Sequence, residues 1–227
     1  MEKWESGASK PQGAALKLLC VIKKHGLEIL TYARKMTSNF LIPGWKLGGL
    51  SEEHYAAGID KETFYQGSQS ARLLSVGETV PGSAGIYQHI SASNYQNCKI
   101  RFSAFVKTLE VEDRCGLYVS ASTRGFPTVL DDMSNRPIKG TTDWQQYSAV
   151  INVSKNSSEI QFGVFLAGSG SIWIDSATLE IAGDEVASTA VSRGSLGDEP
   201  LSDEDSELNA RYEALPTSPV NMNFEER

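Results

Sequence analysis

Nine consecutive residues, Lys99-Ile100-Arg101-Phe102-Ser103-Ala104-Phe105-Val106-Lys107, alternate with a period of two. In an extended strand successive side chains point to opposite faces. Ile100, Phe102, Ala104 and Val106 would therefore share one face, and Arg101, Ser103, Phe105 and Lys107 the other. Shorter β-prone runs follow the same texture at 71–76, 85–91, 116–122, 147–153, 159–166 and 171–180, separated by clusters of Gly, Ser, Thr, Asn and Asp. Many short strands with turn signals and no helical period between them predict an all-β fold, an antiparallel β-sandwich or barrel. Gly168-Ser169-Gly170, between two such runs, reads as a hairpin connection.

The flanks differ from this middle. Over 14–36, Ala15, Leu18, Leu19, Ile22, Leu27, Leu30 and Ala33 mostly follow helical spacing with lysines on the other side, interrupted at Gly26. Such a basic amphipathic helix either packs on its own domain, forms a weakly ordered extension, or lies on a membrane surface or partner. Residues 1–38 carry a charge of +4 and residues 183–227 a charge of −8, so the acidity of the chain belongs mainly to its tail. Residues 184–217, rich in Ser, Glu, Asp, Ala and Gly, cannot bury enough apolar area to offset ordering entropy and read as linker or tail. Within them Ser202 could cap a short helix over 203–215. The last ten residues look ordered again, and their Asn223-Phe224 echoes Asn39-Phe40. The organisation expected is thus an N-terminal extension over 1–38, a sandwich over 39–182, an acidic linker over 183–217, and an extra strand over 218–227 that either begins a second repeat or docks on a sheet edge of its own or a neighbouring chain.

Several function classes are disfavoured. A net charge of −7 and a pI near 5.1 offer no whole-protein basic field to release counterions from nucleic acid. Leu18-Leu19-Cys20-Val21-Ile22 is far shorter than a membrane span of about 18 residues or a secretory apolar region of about 7–15. A cytoplasmic setting without a membrane span is the expectation. Cys20, Cys98 and Cys115 make an odd count without CxxC spacing. Cys98 and Cys115 read either as buried thiols or as a bridge between neighbouring strands. There is no HExxH, Walker loop, Gly-x-Ser-x-Gly or dinucleotide glycine pattern, and His25, His54 and His89 lie far apart, so an enzyme is not expected.

Gly44-Trp45, Gly67-Ser68-Gln69-Ser70-Ala71, Tyr87-Gln88, Phe102-Ser103-Ala104-Phe105-Val106-Lys107, Asp143-Trp144 and Trp173-Ile174-Asp175-Ser176-Ala177-Thr178-Leu179-Glu180 follow in an order that resembles carbohydrate-binding modules of the galactose-binding jelly-roll type. The stretch from Asp132-Met133-Ser134-Asn135-Arg136-Pro137 to Asp143-Trp144 looks like jelly-roll domains of bacterial proteins labelled transcriptional regulators. The resemblance implies a binding module for a carbohydrate or similar small polar ligand. Such a site needs flat aromatic faces beside amides, carboxylates or guanidinium groups. The candidates are Trp45, Tyr87, Gln88, Arg101, Phe126 and Trp144, with Asp131, Asp132, Asn135 and Arg136 as polar partners. Trp45 and Trp144 could equally be core, and the loop over 131–136 could equally be a turn held by an internal ion pair. The resemblance also implies a structural calcium, to which Asp175 and, if the tail docks, Glu225 would contribute. Two alternatives stand beside sugar binding. One is an interaction domain that self-associates through residues 218–227. The other is the ligand-sensing part of a transcriptional regulator, although a single helix at 14–36 is one short of a helix-turn-helix.

Overall fold

A computed structural model describes residues 42–77, 80–190, 212 and 214–226. The helix expected at 14–36 lies outside these residues, and that at 203–215 almost wholly so. Nine antiparallel strands run in chain order: β1 Lys46–Gly49, β2 Tyr55–Asp60, β3 Ser70–Ser75, β4 Ser83–Ser91, β5 Lys99–Thr123, β6 Phe126–Asp131, β7 Ile138–Asn152, β8 Glu159–Ala167 and β9 Ser171–Ala182. Hydrogen bonding connects them in the order β1-β4-β8-β5-β9-β3-β2, with β6 and β7 also on β5.

The organising element is β5. Its first half pairs with β9 and β7, and its second half with β8 and β6. Between the halves the register with β7 shifts repeatedly and Glu110 adopts a φ of 51°. A bulged, left-handed residue bends a strand. The bend folds the sheet over, so that β7, the first half of β5, β9, β3 and β2 form one layer and β1, β4, β8, the second half of β5 and β6 the other. This is a jelly-roll β-sandwich. Ile100, Phe102, Ala104 and Val106 are all completely buried between the layers, with Phe162, Ile172 and Ile174. Each large side chain so buried stabilises the fold by about 1.5–3 kcal/mol.

Three details depart from the sequence reading. The runs at 99–107 and 116–122 are one continuous strand. Gly168-Ser169-Gly170 is no hairpin, because β8 and β9 flank β5 on opposite sides of the path. That turn crosses between the layers at the bend of β5, where Glu112 N–H donates to Ser169 O at 3.1 Å. Strands β1, β2 and β6 escape the pattern because they are short and carry Gly or Pro. Cys98 and Cys115 are free thiols, and burial pushes the Cys115 thiol up to about 12.

The tail lies on the sandwich of its own chain, in turns rather than as the expected strand. Its main chain is held mostly by side chains of the sandwich. Gln88 both donates to Val220 O (2.5 Å) and accepts from Val220 N–H (3.0 Å). Trp45 Nε1 donates to Asn221 O at 3.1 Å, Gln69 Nε2 to Phe224 O at 2.6 Å, and Ala177 N–H to Met222 O at 2.9 Å. Phe224 is fully buried, its ring 4.9 Å from that of Trp45.

Candidate functional site

The residues proposed from sequence separate into two groups. Trp45 and Gln88 are 4% and 2% exposed and are engaged by the tail, so neither presents a surface to a ligand. The loop over 131–136 is wired internally. Arg136 grips Asp131 with two bonds, Nη2 to Oδ2 at 2.6 Å and Nη1 to Oδ1 at 3.0 Å, and also donates to Asn135 Oδ1 and Ser148 O. Asp131, 1% exposed, accepts as well from Met133 N–H and from the Thr189 hydroxyl. Asp132 caps Ser134 N–H at 3.1 Å and lies 3.7 Å from Arg114. Of the two readings of this loop, the internal ion pair is the one its geometry supports. Phe126, 61% exposed, stands on β6 in the other layer, and Tyr87 also belongs to that layer.

Arg101 and Trp144 lie on the same outer face, that of the β7-β5-β9 layer. Alternation turns Arg101, Ser103, Phe105 and Lys107 outward there. In register beside them lie Ser148 and Gln146 on β7 and Glu180, Thr178 and Asp175 on β9. Over its lower half this face is a groove of about 550 Å³, lined by Arg101, Ser103, Gln146, Thr178 and Glu180 and walled by Val186–Thr189. The wall is tied down by Lys99 Nζ, which donates to Val186 O at 2.6 Å, and by Thr189 against Val150.

Above the groove stands an aromatic cluster that the sequence reading did not assemble. The Tyr65 ring stacks on Phe105 with centroids 3.6 Å apart and planes 11° from parallel, and lies 6.1 Å from the Trp144 ring. Tyr65 remains 44% exposed. Nothing in the local pattern around Tyr65 marks it, because it sits in the β2–β3 loop and reaches Phe105 only through the fold. The charged groups along the face are matched: Lys107 Nζ with Asp143 at 2.8 Å, and Arg101 with Glu180 at 3.1 Å. Lys107 and the Trp144 N–H hold the Asp143 carboxyl below its usual range.

Asp175 and Glu225 both serve the loop that carries Tyr65. The fully buried Asp175 accepts through Oδ2 from Tyr65 N–H (2.8 Å) and Gln66 N–H (3.0 Å), and through Oδ1 from Ser176 N–H. Glu225 accepts from Ser68 N–H (2.7 Å), the Ser68 hydroxyl (2.6 Å) and Gln69 N–H (3.2 Å), which lower its pKa. Gly67, at a φ of 81°, makes the seat: a Cβ there would come within 2.2 Å of Glu225 Oε1. Calcium requires oxygen ligands around it. Here N–H and O–H donors already face both carboxylates, so their surroundings in this conformation do not fit a cation shell.

No known family model matches the chain. The uncharacterized HTH-type transcriptional regulator YbfP of Bacillus subtilis (strain 168) is 36% identical to it over 161 residues, 70% of this chain and 55% of the relative. The chain therefore spans about half the length of that relative. This is the resemblance expected from the stretch between Asp132 and Trp144. Similar solved structures include the CBM22-1 xylan-binding domain of Paenibacillus barcinonensis Xyn10C (16% identity, TM-score 0.46, 61% of this chain and 85% of that one). They include a family 16 carbohydrate-binding module (18%, 0.46, 61% and 92%) and the Stig cyclase Fisc of Fischerella sp. TAU (15%, 0.46, 62% and 87%). Among the described residues no helix is long and apolar enough to cross a membrane.

Proposed function

We propose that the domain is a non-catalytic binding module that holds a saccharide along the outer face of β7, β5 and β9. The observation that supports this reading most is the Tyr65–Phe105–Trp144 cluster above a groove of hydroxyl, amide and guanidinium groups. Aromatic faces accept the apolar C–H face of a pyranose, and the polar groups below can bond its hydroxyls. Arg101 and Lys107 are each matched by a carboxylate, which favours a neutral sugar over an anionic one. Each of Asp143 and Glu180 is held by a cation, an unsuitable state for a general acid and base pair. We also assign Asp175 and Glu225 to holding the Tyr65 loop without a cation.

The test is a titration with a panel of neutral oligosaccharides, followed by intrinsic tryptophan fluorescence and calorimetry. Saturable binding that Trp144→Ala or Tyr65→Ala weakens about tenfold or more is expected, equivalent to about 1.4 kcal/mol. A flat response across the panel would remove the reading. Melting with calcium and with chelator should coincide; a calcium-dependent rise would return the cation to Asp175 and Glu225.

A second reading draws on the relative's name: the module would be the ligand-sensing part of a transcriptional regulator in a longer chain. It uses the same groove and differs in its output. DNA binding by a full-length relative that changes on adding the groove ligand would favour it.

A further inference from the structure

The tail lies in its seat as a bound peptide does. The side chains of Gln88, Trp45 and Gln69 and the N–H of Ala177 bond the main chain of Val220, Asn221, Met222 and Phe224. Among the described residues, no strand ladder joins this segment to the sheet. One anchor is apolar: Phe224 is buried in the core cluster that includes Ile42, Trp45 and Phe162. The other is acidic: Glu225 accepts from Ser68 and Gln69. Glycines shape the two ends, for a Cβ on Gly44 would overlap Val220 and one on Gly67 would overlap Glu225. Asn221 fixes the turn between the anchors, donating to Pro43 O at 3.2 Å and accepting from Glu226 N–H at 3.0 Å.

Such a seat is costly to leave empty. Trp45, Gln69 and Gln88 are buried, and each donates to a tail carbonyl. Removing the acceptors of enclosed donors is destabilising, so the seat demands an occupant. The sequence Asn-Phe-Glu occurs once in the chain, at 223–225. The earlier Asn39-Phe40 is followed by Leu41, which has no carboxylate for Ser68 and Gln69. The segment that satisfies the seat is therefore the tail, and every further copy of the chain carries the same one. None of its contacts depends on the tail being continuous with the sandwich it lies on. Residues 191–211 join Ala190 to Tyr212 and, drawn out, span up to about 70 Å, enough to hand the tail to a neighbour.

We propose that this seat is a peptide-binding site for the Val220–Glu225 segment of a second copy, so that two copies join by exchanging tails. Exchange of an identical element keeps every contact and is a low-cost route to a pair. In dilute solution the chain's own tail fills the seat first, because tethering raises its effective concentration. An arriving tail brings the carboxylate that holds Ser68 and Gln69, so each copy completes the Tyr65 loop of the other. The site stands on the tail contacts alone and needs no saccharide in the groove.

The experiment mixes two full-length variants. Phe224→Ala with Glu225→Ala removes both anchors and leaves the seat; Gly67→Leu with Gln88→Leu blocks the seat and leaves the tail. Light scattering after size exclusion should show each alone as a monomer and the mixture as a one-to-one complex. A synthetic peptide of residues 216–227 should dissolve that complex, and the same peptide carrying Phe224→Ala should do so at least about tenfold more weakly. Two folded monomers that stay apart when mixed would overturn the proposal, as would a complex that the peptide leaves intact. Should either variant fail to fold, the readout becomes the thermal stability of the Phe224→Ala, Glu225→Ala chain with the peptide added. Saturable stabilisation, lost with the Phe224→Ala peptide, supports the site, and an unchanged melting curve overturns it.

Discussion

The loop over 131–136 and the outer face around Phe105 form an instructive pair. The loop has the more suggestive composition, with two acids, an amide and a guanidinium within six residues. The face, read along any one strand, is unremarkable. Yet the loop turns its groups inward, with Arg136 locked to a buried Asp131, whereas the face leaves Tyr65, Trp144 and a 550 Å³ groove open to solvent. A polar side chain is most available to a ligand when it stays exposed and keeps bonding capacity that the fold does not use. Chemical variety in a short stretch is therefore a poor guide to binding.

Five perturbations sharpen or break this contrast, the largest effect first. Arg136→Ala leaves the Asp131 carboxylate buried without its guanidinium, which costs about 3–5 kcal/mol in denaturant unfolding. Groove affinity measured on the folded fraction should stay within about threefold of the native value. A loss of binding with unchanged stability would reverse the roles of the loop and the face. Phe224→Ala, which empties a fully buried site under the tail, should also destabilise by about 3–5 kcal/mol.

Smaller effects follow from the Glu225 seat. Its folded-state pKa lies below the ordinary 4.5, so the contribution is present above that value and is lost as pH falls through the depressed one. Unfolding followed between neutral pH and pH 3 should show an acid-side decline that Glu225→Gln flattens. The same variant should weaken sugar binding modestly while leaving Trp144 in place, because Glu225 acts through the Ser68-Gln69 end of the Tyr65 loop. Gly67→Ala should reproduce this loss, since its Cβ collides with the Glu225 carboxylate. The smallest expectation is chemical. Cys115, fully buried and with its pKa near 12, should resist thiol reagents until the domain unfolds. Modification in the native state would show that the β5–β8 layer opens more readily than its packing suggests.

Much of the fold was legible in the sequence because β alternation is a local signal. Ile100, Phe102, Ala104 and Val106 declare their buried face within seven residues. The 25-residue length of β5 was not legible, since the bend at Glu110 interrupts the alternation and makes one strand look like two. The site was legible only in part. Trp144 and Arg101 were named from the sequence because their residue types suit sugar contact, and alternation places both on the outer face of the β7-β5-β9 layer. Tyr65 was not singled out because its ring partner Phe105 is 40 residues away, and the loop that carries it is held by the distant Asp175 and Glu225. Trp45 and Gln88 were misassigned for the converse reason: the groups that engage them belong to a tail more than 130 residues downstream.

The shared strand has a consequence for how the domain is made. β5 belongs to both layers, and β9, its partner beside β3, is the last strand to be synthesised. Until the residues beyond 171 leave the ribosome, β2 and β3 form a pair with no sheet to join, and one flank of β5 stays bare. Closing contacts of such long sequence separation carries a large loop-entropy cost before any burial offsets it. The sheet can close only once β9 is available, and open strand edges on an incomplete sheet are the kind that pair with other chains.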